Sequence, residues 1–201
     1  MISRTALLGL GAAATAILVP AAASAHVSAS HAFGLAHGFW HPIGGIDHVL
    51  AMVAVGLFAA NLGGRALWAV PLTFVAVMAV GGTLGIEQIA IPYVEAGIAL
   101  SVVVLGIAVA LRVQWPVAAA VALVGVFAIF HGHAHGVEMP MNASAAPYAA
   151  GFTMATALLH GAGVALGIGL QRLGGGAGHR AAQFGGSAMA LAGVALLTGA
   201  L

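Results

Sequence analysis

Ala66-Leu-Trp-Ala-Val-Pro-Leu-Thr-Phe-Val-Ala-Val-Met-Ala-Val-Gly-Gly-Thr-Leu-Gly-Ile-Glu-Gln88 carries one carboxylate, at its far end, and no basic residue. It is long enough to cross a hydrocarbon core about 30 Å thick. Five further runs of this kind lie near 46–63, 92–111, 116–134, 146–170 and 182–201, separated by glycine, proline and arginine. None alternates apolar and polar residues as a barrel strand does, and in lipid each backbone polar group must be satisfied within its own segment, so the runs are predicted to be helices. The expected fold is all-α: a polytopic membrane protein with six transmembrane helices in one bundle.

Composition agrees. Of the 201 residues 62% are hydrophobic and 4% charged, against about a quarter charged in an ordinary soluble domain. Mean hydropathy is +1.13. The absence of cysteine excludes disulfides, thiolate metal sites and iron–sulfur clusters, and the absence of lysine excludes a Schiff base and a P-loop. Ten histidines outnumber the four carboxylates, leaving imidazole as the abundant group able to coordinate a metal or move a proton near neutral pH. A net charge of +1 gives no reason to expect a nucleic-acid partner.

Residues 1–25 read as a signal peptide: a cationic start through Arg4, an apolar stretch from Thr5 to Ala23, and small residues at Ala23-Ser24-Ala25. An uncleaved signal anchor is the alternative. Residues 26–201 then form one domain whose N-terminus, His26, lies outside the cytoplasm. On that basis the first, third and fifth loops are cytoplasmic, and Arg65, Arg112, Arg172 and Arg180 fall in those loops, as the positive-inside bias requires. The expected location is a bacterial-type inner membrane. Glycines such as Gly81, Gly82, Gly151, Gly163, Gly167 and Gly186 are expected at helix contacts. Gly174–Gly178 reads as a flexible cytoplasmic loop with Gln171, His179 and Arg180 solvated around it.

Two clusters carry chemistry. His37-Gly-Phe-Trp-His41-Pro-Ile-Gly-Gly-Ile-Asp47-His48 is an aromatic interfacial segment leading into the first span. Imidazole and carboxylate suit a borderline divalent metal, and the groups converge if Pro42 and Gly44-Gly45 turn the chain. Asp47 either ligates, orients an imidazole, or serves as a helix N-cap. In Phe130-His131-Gly-His133-Ala-His135-Gly-Val-Glu138, at the outer end of the fourth span, His131, His135 and Glu138 share one helical face while His133 projects from the other side. Gly132 and Gly136 leave room for another backbone, with the first span as the candidate. Glu95, just inside the third span, needs a cavity or a metal. His160, in the fifth, is either a further ligand or a core histidine bonded to a carbonyl. His26 and His37 are auxiliary ligand candidates.

At these motifs, together with Ala157-Leu-Leu-His160-Gly-Ala-Gly163, the sequence resembles the HupE/UreJ family of nickel and cobalt permeases, associated with hydrogenase and urease maturation. The resemblance covers essentially the whole domain. It implies metal handling by His41, Asp47, His48, His131, His135 and Glu138, with Glu95 and Phe74 as further functional positions; Phe74 has no other signal. The expected protein is a secondary permease, not an enzyme. It has no prosthetic group and carries Ni²⁺, or Co²⁺ or Zn²⁺, along a path including Glu95, Phe74 and His160. Its partners are the ion, the bilayer and, indirectly, nickel-enzyme maturation proteins, with a homo-oligomer left open. Two other classes fit the same side chains: a membrane-embedded zinc hydrolase, though H-E-x-x-H is absent, and a bis-histidine haem protein.

Overall fold

The computed structural model describes residues 29–173 and 175–201. The signal-peptide reading and His26 lie outside the described residues. Seven α-helices and no strand occur among the described residues: α1 (Ala29–Gly44), α2 (Ile46–Leu62), α3 (Ala66–Ile86), α4 (Val94–Ala110), α5 (Val117–Val137), α6 (Ala145–Arg172) and α7 (Gly175–Leu197). The helices α2 to α7 occupy the six predicted runs. Three of them, α3, α5 and α6, are long and apolar enough by themselves to cross a membrane, and the bent pair Phe33–Gly44 with Ile46–Leu62 passes together as a fourth. At 17 residues α4 is apolar but shorter.

Helix α1 corrects the expectation of an interfacial segment merely leading into the first span. The chain is helical through Pro42, then turns by 82° into α2. Proline lacks the N–H that an inner turn needs, and Gly44-Gly45 offers no side chain to resist the bend. Gly45 itself is extended, with φ −96° and ψ 119°. The bend brings the histidine-bearing α1 over the start of α2.

Helix pairing is by close backbone approach. In lipid there is little hydrophobic gain from bringing two helices together, so dispersion between closely spaced backbones carries the association. The main pairs are α3 with α5, α4 with α7, and α6 with both α1 and α2. A Cβ added at Gly132 would run into the Met78 carbonyl, one at Gly136 into that of Gly82, and one at Gly81 into that of Ile129. Gly132 and Gly136 therefore admit α3, not the first span as the sequence suggested. Gly56 and Gly163 bring α2 onto α6 in the same way, and Gly106 and Gly186 bring α4 onto α7.

The expected glycine loop is also corrected. Helix α7 already begins at Gly175, and Gly178 lies against the Leu170 carbonyl of α6. A larger residue would hold the hairpin open there. Gln171 donates to the Ala60 carbonyl at 2.8 Å, and His179 accepts from Arg112 at 2.9 Å.

Candidate functional site

The first turn of α2 begins the site. Gly45 is the N-cap and Asp47 lies inside the first turn, so Asp47 is not the N-cap residue. Its Oδ1 accepts from the His48 backbone N–H at 2.8 Å and pairs with His48 Nδ1 at 2.9 Å. A Cβ on Gly45 would stand 2.7 Å from that carboxylate oxygen, so the glycine keeps the pair possible. His48 is buried and its Nε2 has no partner.

The last turn of α5 faces it. His131 and His135 are both fully buried. Their rings lie 4.9 and 4.6 Å from that of His48, centroid to centroid. His131 Nδ1 and both nitrogens of His135 lack partners, while His131 Nε2 is 2.9 Å from the Ser101 hydroxyl of α4. Phe152 stacks on His135 at 5.0 Å. His133, rotated off this face, pairs through Nε2 with the Ile89 carbonyl at 2.8 Å. Glu138 ends the helix as its C-cap, and its carboxylate accepts from His41 Nε2 at 2.7 Å.

From α1, His41 lies 5.2 Å from the His135 ring and 6.1 Å from Tyr148, whose buried hydroxyl has no partner. His37, one turn earlier, is exposed and stacks loosely on His41 at 6.2 Å. These groups surround a cavity of about 440 Å³ lined by His37, His41, Asp47, His48, Glu95 and Glu138, with Trp40 at its rim.

Glu95 departs from its expected place further along an inward path. Tyr93 adopts a left-handed conformation (φ 60°) and α4 starts only at Val94, so Glu95 sits in a first turn, exposed, on the wall of the same cavity. The deeper groups are aromatic and imidazole. Phe74 is fully buried in α3, its ring 5.5 Å from His131 and 5.1 Å from His160. His160 is buried and neither of its nitrogens has a partner, so the reading of a core histidine bonded to a carbonyl does not hold.

Among the described residues no group of three or more His, Asp or Glu side chains is arranged to hold a metal ion as it stands. Two of the carboxylates are instead engaged with imidazoles, Asp47 with His48 and Glu138 with His41. The buried imidazoles behind them offer nitrogens with nothing to bond. Such atoms cost free energy in a membrane interior unless a proton donor or cation reaches them. Three neighbours of the cluster escaped the sequence reading: Ser101, Tyr148 and Phe152. Ser101 alone had a signal, as a hydroxyl inside an otherwise aliphatic run.

The opposite end of the bundle is different in charge. Helix α2 runs about 21 Å from Asp47 to Asn61 at 1.5 Å per residue. There Asn61 accepts from Arg112 at 3.3 Å and Arg112 meets His179. Among the described residues the carboxylates and most histidines gather at one end, arginine and His179 at the other.

A family model described as HupE / UreJ protein matches residues 14–196. Protein HupE of Rhizobium leguminosarum bv. viciae is 52% identical over 185 residues, covering 92% of this chain and 94% of its own. No solved structure matches. The chain belongs to the HupE/UreJ family.

Proposed function

We propose that this member of the HupE/UreJ family is a secondary permease for Ni²⁺ or Co²⁺, Ni²⁺ first, which captures the ion at the His/carboxylate cavity and passes it toward His160. The observation that carries the reading is the convergence of His41, Asp47, His48, His131, His135 and Glu138, from three helices, on one end of an otherwise apolar bundle. Imidazole and carboxylate together suit a borderline divalent ion. Capture begins at the exposed carboxylates Glu95 and Glu138, which lower the cost of shedding water. The ion then displaces the hydrogen bond between His41 and Glu138 and reaches the unpartnered His48 Nε2, His131 Nδ1 and His135, while Asp47 keeps its bond to His48 Nδ1. Phe74, between His131 and His160, separates this outer chamber from the deeper imidazole.

The site carries no ATPase motif. Movement along an inside-negative potential supplies about 2.3 kcal/mol per charge per 100 mV, roughly 4.6 for a divalent ion, enough to favour accumulation. This requires the cavity to face outward and the arginine end to face the cytoplasm, with six spans in an inner membrane. Supply of a hydrogenase or urease maturation pathway follows as the use of the ion.

The test is uptake of radioactive nickel into proteoliposomes by the full chain and by His135→Ala. This substitution removes a ring with no hydrogen bond to lose but leaves a cavity against Phe152, so uptake is compared at equal amounts of folded protein and is expected to fall at least tenfold. Normal uptake by the variant would exclude the site. Stoichiometric zinc in the purified protein with no ion movement would favour the embedded hydrolase.

A further inference from the structure

Ser101 lies inside the aliphatic run of α4 and is fully buried. Its Oγ is 2.6 Å from the Ile98 carbonyl and 2.9 Å from His131 Nε2. The carbonyl can only accept and the hydroxyl has one proton. Both contacts are therefore hydrogen bonds in a single arrangement: Ser101 donates to Ile98, and His131 donates its Nε2–H to Ser101. A neutral imidazole protonated at Nε2 carries its lone pair on Nδ1. That nitrogen of His131 is the buried one without a partner.

The same proton count applies across the cavity. The Asp47 carboxylate accepts from His48 Nδ1–H, so the lone pair of His48 is on Nε2, also buried and unpartnered. The two rings meet edge to face at 4.9 Å. Neither lone pair has a donor to accept from, an arrangement stabilised by a cation. A serine in an apolar helix is already satisfied by its own i−3 carbonyl, so its second contact is not needed for Ser101 itself.

We propose that Ser101 is a positioning residue that fixes His131 in the tautomer whose Nδ1 lone pair, together with His48 Nε2, receives the transported divalent ion. This inference rests on the transport reading above. It gives the two imidazoles separate supports, a carboxylate for one and a neutral hydroxyl for the other, as orienting partners of metal-binding histidines commonly are.

The experiment uses the full chain in detergent. In ¹⁵N-histidine-labelled, metal-free protein, with the His131 signals identified by their loss in His131→Gln, the proton of His131 is expected on Nε2. By calorimetry Ser101→Ala is expected to weaken nickel binding about 10–100-fold, and Ser101→Thr, which keeps the hydroxyl, to bind within a few-fold of wild type. A His131 proton found on Nδ1, or a Ser101→Ala variant binding nickel as tightly as wild type, overturns the inference and leaves the transport reading standing. If Ser101→Ala does not fold, the wild-type tautomer decides alone. Wild-type protein that binds no nickel overturns both.

Discussion

Asparagine at position 47 would separate the two things the Asp47 carboxylate does. Its Oδ1 accepts from the His48 backbone N–H at 2.8 Å and from the ring Nδ1 at 2.9 Å. An amide oxygen can accept both bonds, so Asp47→Asn keeps His48 in the same tautomer and removes only the charge. The hydrogen bond, the imidazole ring and a metal–nitrogen bond of about 2.1 Å together set an ion on His48 Nε2 about 7 Å from the carboxylate. Coulomb's law then gives about 5 kcal/mol for a divalent ion at an effective dielectric of about 20, and about 1 kcal/mol in bulk water. The Asp47 side chain is 23% exposed at a cavity open to solvent, so screening pulls the value toward the lower figure. Asp47→Asn is expected to weaken nickel binding roughly 10–100-fold by calorimetry in low salt, with the loss shrinking as salt is raised. Asp47→Ala is expected to lose more, because His48 is then free to flip its proton. Wild-type affinity in Asp47→Asn would refute the electrostatic account, and equal losses in the two variants would refute the orienting one.

Glu95→Gln, on the cavity wall and not deeper, is expected to raise the half-saturating nickel concentration for proteoliposome uptake several-fold while leaving the maximal rate near wild type; loss of the maximal rate instead would return Glu95 to the inward path. Gly106→Ala would put a Cβ 2.6 Å from the Ala190 backbone nitrogen, so it is expected to cost about 1–3 kcal/mol of bundle stability, seen as a lower unfolding temperature in detergent with nickel affinity unchanged. Single cysteines placed at Gly64 and Asn142 in this cysteine-free chain are expected to be respectively protected from and labelled by an impermeant thiol reagent on intact cells. The reverse pattern would invert the orientation.

The helices were legible because each run is apolar throughout and bounded by Gly, Pro or Arg, which made the placement of α2 to α7 a matter of counting. Helix α1 was not, since Gly44 and Gly45 read equally as a turn and as the hinge of two helices, and only packing of α1 on α6 decides. The face carrying His131 and His135 followed from i,i+4 spacing, which helix geometry fixes before any tertiary contact forms. What spacing could not supply was the partner of each glycine. A small residue says that some backbone comes close, not which one, and Gly132 and Gly136 were accordingly given to the wrong helix. Glu95 stands just inside its helix and lines a cavity, as its distance from Pro92 and its charge indicated; what spacing could not show is that this cavity is the one formed by the histidine clusters and not a deeper stretch of the path. Ser101, Tyr148 and Phe152 come from segments far apart in sequence and meet the site only through the fold.

The way the polar groups are divided suits transit better than storage. Helices α3 and α5 touch backbone to backbone through Gly132 and Gly136 beside His131 and His135, and the proposed exchange of partners needs only side-chain movement. At the mouth His41 holds Glu138, a bond that an arriving ion must exchange for its own, while Asp47 keeps its bond to His48 as the support of that ring. Beneath them His131 Nδ1 and His135, with no hydrogen bond to give up, gain a partner only when the ion arrives. On the proposed transport reading the first step offsets much of what the second contributes and keeps the net binding shallow. A site with all its ligands preformed would hold a divalent ion too tightly to release it toward His160, and no such preformed group occurs among the described residues. Tightening the chamber by a substitution that adds a free carboxylate is therefore expected to raise affinity and slow uptake together. Faster uptake from a tighter site would contradict the division.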